Sequence, residues 1–273
     1  MFSRFSLHKI ADPDKLNFDA GEYSRFKFGD GELAKSFGNA LANQYIQQYE
    51  AELKEHDEIT IVPSPFHAIP TASFTLTAQF VAVLNHFRFM HGQKALHQAK
   101  IGRNMTYTED YGEMSFEERI RLISSTSYSF DPRQFDKKKV ILTDDIRITG
   151  SHEMVIRRLL EESGVAGSFR FVYFAELINE NIPPTFENFL NYFQIKNVSD
   201  LISLFNSPTF VFNTRVVKFI LKSEKTHFLK LTENSSPEKL KELIGLAISN
   251  NYHLKKEYEH NLHYLINLTG YGN

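Results

Sequence analysis

The chain has 273 residues, room for one large domain or for a domain with a substantial extension. Hydrophobic residues make up 42% and charged residues 23%, the mix of an ordinary globular protein. A formal net charge of -2 lacks the basic excess that wrapping a long nucleic acid calls for, but leaves room for a small anion held by local positive potential. With no cysteine, disulfides, zinc–thiolate sites and cysteine nucleophiles are excluded. With 25 Phe and no Trp, aromatic core packing falls mainly to Phe. Residues 1–15 are charged and lack the apolar core of a signal peptide, and no stretch approaches a membrane span. The expectation is a soluble cytoplasmic protein.

From about Glu32, Leu33, Phe37, Ala40, Leu41 and Tyr45 recur at helical spacing, after a turn signal at Lys27-Phe-Gly-Asp-Gly31. Residues 58–63 read as a buried strand. Residues 64–70 hold Pro65 and Pro70 and follow Pro63, so they form a loop. A helix is expected from Thr71 to Arg88 and another strand within 95–101. Residues 102–114 are polar and Tyr-rich, a long loop, and Ser115 to Glu118 fit a capping box. A strand over 138–144, a helix over 153–163 and a strand over 169–174 follow. Strands alternating with helices imply a parallel sheet. After about Asn179 the texture turns mainly helical, with helices expected near 209–221, after a cap at Ser235 to Glu238, and over 254–268. This divides the chain into an α/β unit, 1–178, and a helical extension or cap, 179–273. No internal repeat or low-complexity segment is present. His260 and His263 are three apart on a helix, but without a third ligand they read as solvated rather than as metal ligands.

The most informative stretch is 140–151, Val-Ile-Leu-Thr-Asp-Asp-Ile-Arg-Ile-Thr-Gly-Ser. An apolar run ends in Asp144 and Asp145, a small-residue turn follows, and a helix opens. Such carboxylates can accept hydrogen bonds from ribose hydroxyls. The loop and the following helix N-terminus favour a phosphate. The same residues also fit a helix cap or a solvated acidic turn, and receiver domains carry paired acids too, but after the first strand of the domain.

The stretch resembles the phosphoribosyl-pyrophosphate (PRPP) motif of the type I phosphoribosyltransferases, in which two acids after an apolar strand precede Thr-Gly and a small residue. Asp144, Asp145, Thr149, Gly150 and Ser151 occupy those positions. Ile148 and His152 stand where many members have Thr. Lys27-Phe-Gly-Asp30, Val62-Pro-Ser-Pro-Phe-His67 and Arg119 are similar to segments of the ComF-like branch, so the likeness covers about residues 22–175. The arginines and N-terminal zinc cysteines usual in that branch are missing. Residues 144–153 and Asn213-Thr-Arg-Val-Val-Lys218 also resemble a phosphoribosyltransferase family of bacterial tellurite-resistance stress clusters.

The resemblance implies a twisted parallel sheet flanked by helices, with a hood. It implies that Asp144, Asp145, Arg147, Ile148, Thr149, Gly150, Ser151 and His152 bind PRPP, the acid pair also serving catalysis. Residues 64–72 become the pyrophosphate loop, with Ser64, Pro65, Phe66, His67 and Thr71, and 102–114 a flexible loop, with Arg103 and Tyr107. Bland readings stay open: Arg103, His67, Ser64 and Thr71 as loop residues, Tyr107 and Tyr111 as loop-packing aromatics, and Arg147 facing solvent. The implied reaction moves a phosphoribosyl group from PRPP to an unidentified nitrogenous acceptor. Magnesium would be held through substrate and water, and a homodimer is common among such proteins. The competing readings are a non-catalytic PRPP- or nucleotide-binding regulator, and a subunit whose helical C-terminus docks a partner.

Overall fold

A computed structural model describes residues 1–56, 58–103 and 128–272. The expected capping box at Ser115 and the residues Tyr107, Tyr111 and Arg119 lie outside them. Five parallel strands form the central sheet in the order β1-β7-β6-β2-β3. They are β1 (Phe2–Ile10), β2 (Ile59–Pro63), β3 (His97–Gln98), β6 (Lys138–Arg147) and β7 (Gly167–Leu177). A small antiparallel pair, β4 (Gly102–Arg103) and β5 (Tyr128–Ser129), stands apart.

Helices α1 (Ala20–Lys27), α2 (Gly31–Glu55) and α3 (Ala72–Met90) belong to one face of the sheet. There Leu41, Tyr45, Leu76 and Phe80 pack with Ile59, Ile61, Ile141, Val172 and Phe174. Helix α4 (Ser151–Glu162) covers the other face through Ile156 and Leu160, against Val140, Leu142, Phe169, Phe171 and Tyr173. Successive strand residues point to opposite faces. That alternation places Leu142 and Ile141 in different cores, and it sends the two adjacent carboxylates to different helices.

Helices α5 (Phe186–Asn191), α6 (Val198–Phe205), α7 (Thr214–Lys222), α8 (Lys225–Glu233), α9 (Pro237–Ser249) and α10 (Lys256–Thr269) follow. From Ile195 onward they build their own apolar core, which also takes in Phe28 and Ile69 of the α/β part. Among the described residues no helix is long and apolar enough to cross a membrane.

The structure departs from the sequence expectations in several places. Residues 2–10, read only as a charged start, form an edge strand in register with β7, Phe2 opposite Phe169 and Ile10 opposite Leu177. Strand β6 runs on to Arg147, so both acids lie within it rather than after it. The cap of α9 is Ser236, whose hydroxyl accepts from the Lys239 amide, because Pro237 takes the first helical position. Residues 95–101 contribute only the two-residue β3.

Candidate functional site

The carboxyl ends of β2 and β6, the turn into α4, the start of α3 and the polar face of α7 enclose a cavity of about 310 Å³. That lies at the lower edge of the range for small-ligand sites, roughly 300–1,000 Å³. Its position outside the carboxyl ends of parallel strands is where open α/β sheets bind ligands.

Asp144 points toward α4, where its Oδ2 lies 3.1 Å from Nδ1 of His152. Its Oδ1 accepts the Asp145 amide at 2.9 Å. Burial alone would raise its pKa. The hydrogen bond and charge of His152, a hydrogen bond with the Asp145 side chain and the Lys27 charge outweigh burial and bring Asp144 down to about 2. Asp145 turns to the opposite face and meets α1. Tyr23 donates to its Oδ2 at 2.6 Å and the Lys27 ammonium pairs with the same oxygen. Tyr23 and Lys27 are four residues apart, one helical turn, and so share a face. Burial pushes the Asp145 carboxyl up, and Lys27 pulls it back. The two acids are thus unequal. Asp145 is held in a buried ion pair, whereas Asp144 is the more exposed of the two toward the cavity.

The turn after β6 leads straight into the N-terminus of α4. Gly150 has φ +74°, a left-handed conformation that glycine adopts without cost. A Cβ there would meet the Arg147 guanidinium at 2.5 Å, so Arg147 lies against the turn. The Thr149 hydroxyl accepts the Ser151 amide at 3.3 Å and lies 2.9 Å from the Ser151 hydroxyl, fixing the loop before α4 begins. The positive end of the α4 dipole faces this turn.

Arg147 faces neither solvent nor an empty turn. Its Nε is 3.2 Å from Glu153 and its Nη1 3.3 Å from Glu176. Arg4 of the edge strand grips Glu153 through two bonds of 2.9 Å and Glu176 at 2.8 Å. Arg157 and Tyr173 also reach Glu153, at 2.7 Å and 3.1 Å. Three guanidinium groups therefore share two carboxylates beneath the turn, which fixes Arg147 and leaves the cluster one positive charge in excess.

Ser64, Pro65, Thr71 and Arg103 line the cavity, together with all nine residues from Asp144 to His152. Phe66 and His67 do not. Phe66 packs edge-on against Phe74, 5.3 Å between centroids, with the Lys100 ammonium 3.9 Å from its ring centroid. His67 is turned away because its Nδ1 bonds the Arg103 carbonyl at 3.0 Å. Their work is to hold the 64–71 loop, not to face the cavity. Tyr107 lies outside the described residues.

Sequence reasoning did not assign Lys27, Glu153, Tyr173, Glu187, Tyr192, Thr214, Arg215, Lys218, Phe219 or Lys222 to the site, yet all line it. The helical extension is brought there by specific contacts. The Asn213 side-chain Nδ2 donates to the Lys27 carbonyl at 3.2 Å, and the Thr214 hydroxyl donates to the Ile69 carbonyl at 2.8 Å. Residues 209–211 clamp the α1–α2 turn: Gly31 donates to the Thr209 carbonyl and Val211 to the Gly29 carbonyl. A spacing signal for Lys27 existed in its one-turn separation from Tyr23. The α7 cations carried none, because only the tertiary docking brings them over the sheet.

The donor set suits a hard cation held mainly by a substrate. Asp144 and the hydroxyls of Ser64 and Thr71 could offer oxygen ligands, and magnesium in phosphate sites commonly uses only one or two protein carboxylates. Among the described residues no group of three or more His, Asp or Glu is placed to hold an ion alone.

Comparison with curated proteins gives no match. Solved structures with partial likeness include a hypoxanthine-guanine phosphoribosyltransferase from Bacillus anthracis: TM-score 0.34, 14% identity, 55% of this chain and 72% of that one. A hypoxanthine phosphoribosyltransferase from Trypanosoma cruzi gives TM-score 0.35 and 14% identity over 56% of this chain and 80% of that one. One from Staphylococcus aureus gives 0.35 and 13% over 54% and 75%. The sequence profile of the PRTase ComF-like family matches residues 1–265, nearly the whole chain, and by that match the protein belongs to the PRTase ComF-like family.

Proposed function

We propose that the protein transfers a 5-phosphoribosyl group from PRPP to a nitrogenous acceptor, releasing pyrophosphate. One observation carries this reading: Asp144, the Thr149–Ser151 turn and the Ser64–Thr71 loop open onto a single cavity at the sheet's carboxyl edge. A sugar with a phosphate at one end and a pyrophosphate at the other needs those three features together. The turn and α4 N-terminus receive the 5-phosphate, with Arg147 beside it. Asp144 accepts the ribose hydroxyls. The hydroxyls of Ser64 and Thr71 meet the pyrophosphate, with Arg103, whose backbone is bonded to the same loop at Phe66, as a further lining residue.

In the transfer a bond forms between the acceptor nitrogen and C1, and the C1–O bond to pyrophosphate breaks with its electron pair. The acceptor's proton passes to solvent. Positive charge gathers on the ribose as the bond loosens, as in glycoside cleavage. Asp144, ionised at any physiological pH, stabilises that charge by its fixed position. Asp145 holds α1 against the sheet and contributes its charge from behind. Magnesium, when bound, would be held through the substrate, with Asp144 able to share in holding it, and would neutralise charge on the pyrophosphate. The helical extension forms the roof that excludes water.

A regulator that binds PRPP or a nucleotide without turnover is the second reading. The engagement of Asp145 by both Tyr23 and Lys27 favours it, since one acid of the pair is already committed. Pyrophosphate release with PRPP, magnesium and a panel of nitrogenous acceptors separates the two. Release that is absent in Asp144→Asn supports transfer. PRPP binding with no release for any acceptor supports the regulator.

A further inference from the structure

We propose that Arg4, on the edge strand β1, is a positioning residue for the sugar phosphate: it neutralises two carboxylates beneath the turn after β6, so that Arg147 stays available to the phosphate. The inference rests on the phosphoribosyl reading of the cavity and assigns a part in it to a residue outside the motif.

The alternation along β1 turns Arg4 and Ser6 to the side of the sheet that α4 covers, in register with Phe171 and Tyr173 of β7. There Arg4 and Arg147 hold the same two carboxylate oxygens between them. Glu153 Oε2 accepts from Nε of Arg4 at 2.9 Å and from Nε of Arg147 at 3.2 Å. Glu176 Oε1 accepts from Nη1 of Arg4 at 2.8 Å and from Nη1 of Arg147 at 3.3 Å. Arg4 makes the shorter bond to each, and its Nη2 adds a third, at 2.9 Å to Glu153 Oε1. Neither bond of Arg147 uses its Nη2, which lies against Gly150, 2.5 Å from where a Cβ would stand. That nitrogen borders the start of α4, the place assigned to the phosphate.

The Glu153 and Glu176 side chains are only 4% and 9% exposed, so water screens them poorly. Burial alone would raise the Glu153 carboxyl. The Arg4 bond and the charges of Arg4, Arg157 and Arg147 hold it below the ordinary carboxylate range, so it is ionised. Ionised carboxylates beside the first turn of α4 would repel a phosphate and draw Arg147 toward themselves. Arg4 supplies the countercharge from beneath, in the fork geometry that matches guanidinium to carboxylate. Of the motif acids, Asp144 pairs with His152 and Asp145 with Lys27, so neither engages Arg147.

The test is a phosphorus NMR titration of ribose 5-phosphate, and separately of inorganic pyrophosphate with magnesium, into the full chain. Arg4→Met keeps the apolar stem and removes the charge. Each carboxylate retains partners in that variant: Glu153 has Arg147, Arg157 and Tyr173, and Glu176 has Arg147 and Ser6. Ribose 5-phosphate should bind the variant about tenfold more weakly, and pyrophosphate as it binds the wild type. Glu176→Gln shifts the charge the other way and should tighten ribose 5-phosphate by about threefold or more. The opposite signs separate charge from packing, because a merely structural cluster would lose affinity in both variants. Unchanged ribose 5-phosphate affinity in Arg4→Met, an equal loss for pyrophosphate, or weaker or unchanged binding in Glu176→Gln overturns the proposal. The sign in Glu176→Gln decides it alone if Arg4→Met does not fold. A wild type that binds pyrophosphate but not ribose 5-phosphate overturns the proposal and leaves the pyrophosphate loop standing. A wild type that binds neither refutes the phosphoribosyl reading, and the proposal with it.

Discussion

Nδ1 of His152 lies 3.1 Å from Oδ2 of Asp144, joining the first residues of α4 to the end of β6 across the candidate ribose position. Without this contact burial would dominate and the Asp144 carboxyl would rise. His152→Ala should therefore move its titration up from about 2 toward the ordinary carboxylate range. Carboxyl-carbon NMR over a pH series measures it. An Asp144 titration unchanged in the variant would remove His152 as a cause.

The same shift has a consequence for acid stability. The folded pKa of Asp144 lies below its unfolded value, so its contribution is complete above about pH 4 and fades as pH falls toward 2. The contribution is on the order of 2 kcal/mol. Asp144→Asn should flatten the loss of stability between pH 4 and 2, measured by denaturant unfolding at each pH. An identical slope in the variant would contradict the assignment.

Lys27 and Asp145 form a buried pair, and removing one partner strands the other. Lys27→Ala should cost about 3–5 kcal/mol in chemical denaturation. Adding Asp145→Asn to it should recover part of that loss, giving a coupling of at least about 1 kcal/mol in the double-mutant cycle. Strict additivity would mean that the pair is not formed.

The clamp between the α1–α2 turn and residues 209–211 depends on two glycines. A Cβ on Gly31 would stand 2.2 Å from the Thr209 carbonyl oxygen, and one on Gly29 would stand 2.4 Å from that of Val211 at φ +95°. Gly29→Ala should cost about 2 kcal/mol or more, from left-handed strain plus the clash. It should also loosen α7 from the cavity, seen as faster amide exchange at Val216 and Val217. A stability within a few tenths of wild type would rule the clamp out.

Much of this architecture could be read from residues. The run from Val140 to Ser151 predicted strand, turn and helix, and the chain forms them in that order. The parallel sheet followed from the alternation of elements. The edge strand was hidden because Phe2, Phe5 and Ile10 are interleaved with Ser, Arg, His and Lys, a pattern without the apolar run of a central strand. Arg4 looked like a surface charge, yet the sheet places it between Glu153 and Glu176. His67 sits in the expected loop, but a carbonyl 36 residues on decides where it points. The α7 cations lie about 70 residues beyond Asp145. Local spacing says nothing about a helix that swings back over the sheet, and only the contacts of Asn213 and Thr214 reveal it.

The central claim is that the cavity at the end of β6 binds PRPP through Asp144. Calorimetric titration of PRPP with magnesium into the wild-type protein and into Asp144→Asn tests it most directly. The account predicts saturable binding to the wild type, weakened by about tenfold or more in the variant through loss of a charged acceptor. Equal affinity in the two proteins, or no binding to the wild type, would contradict it.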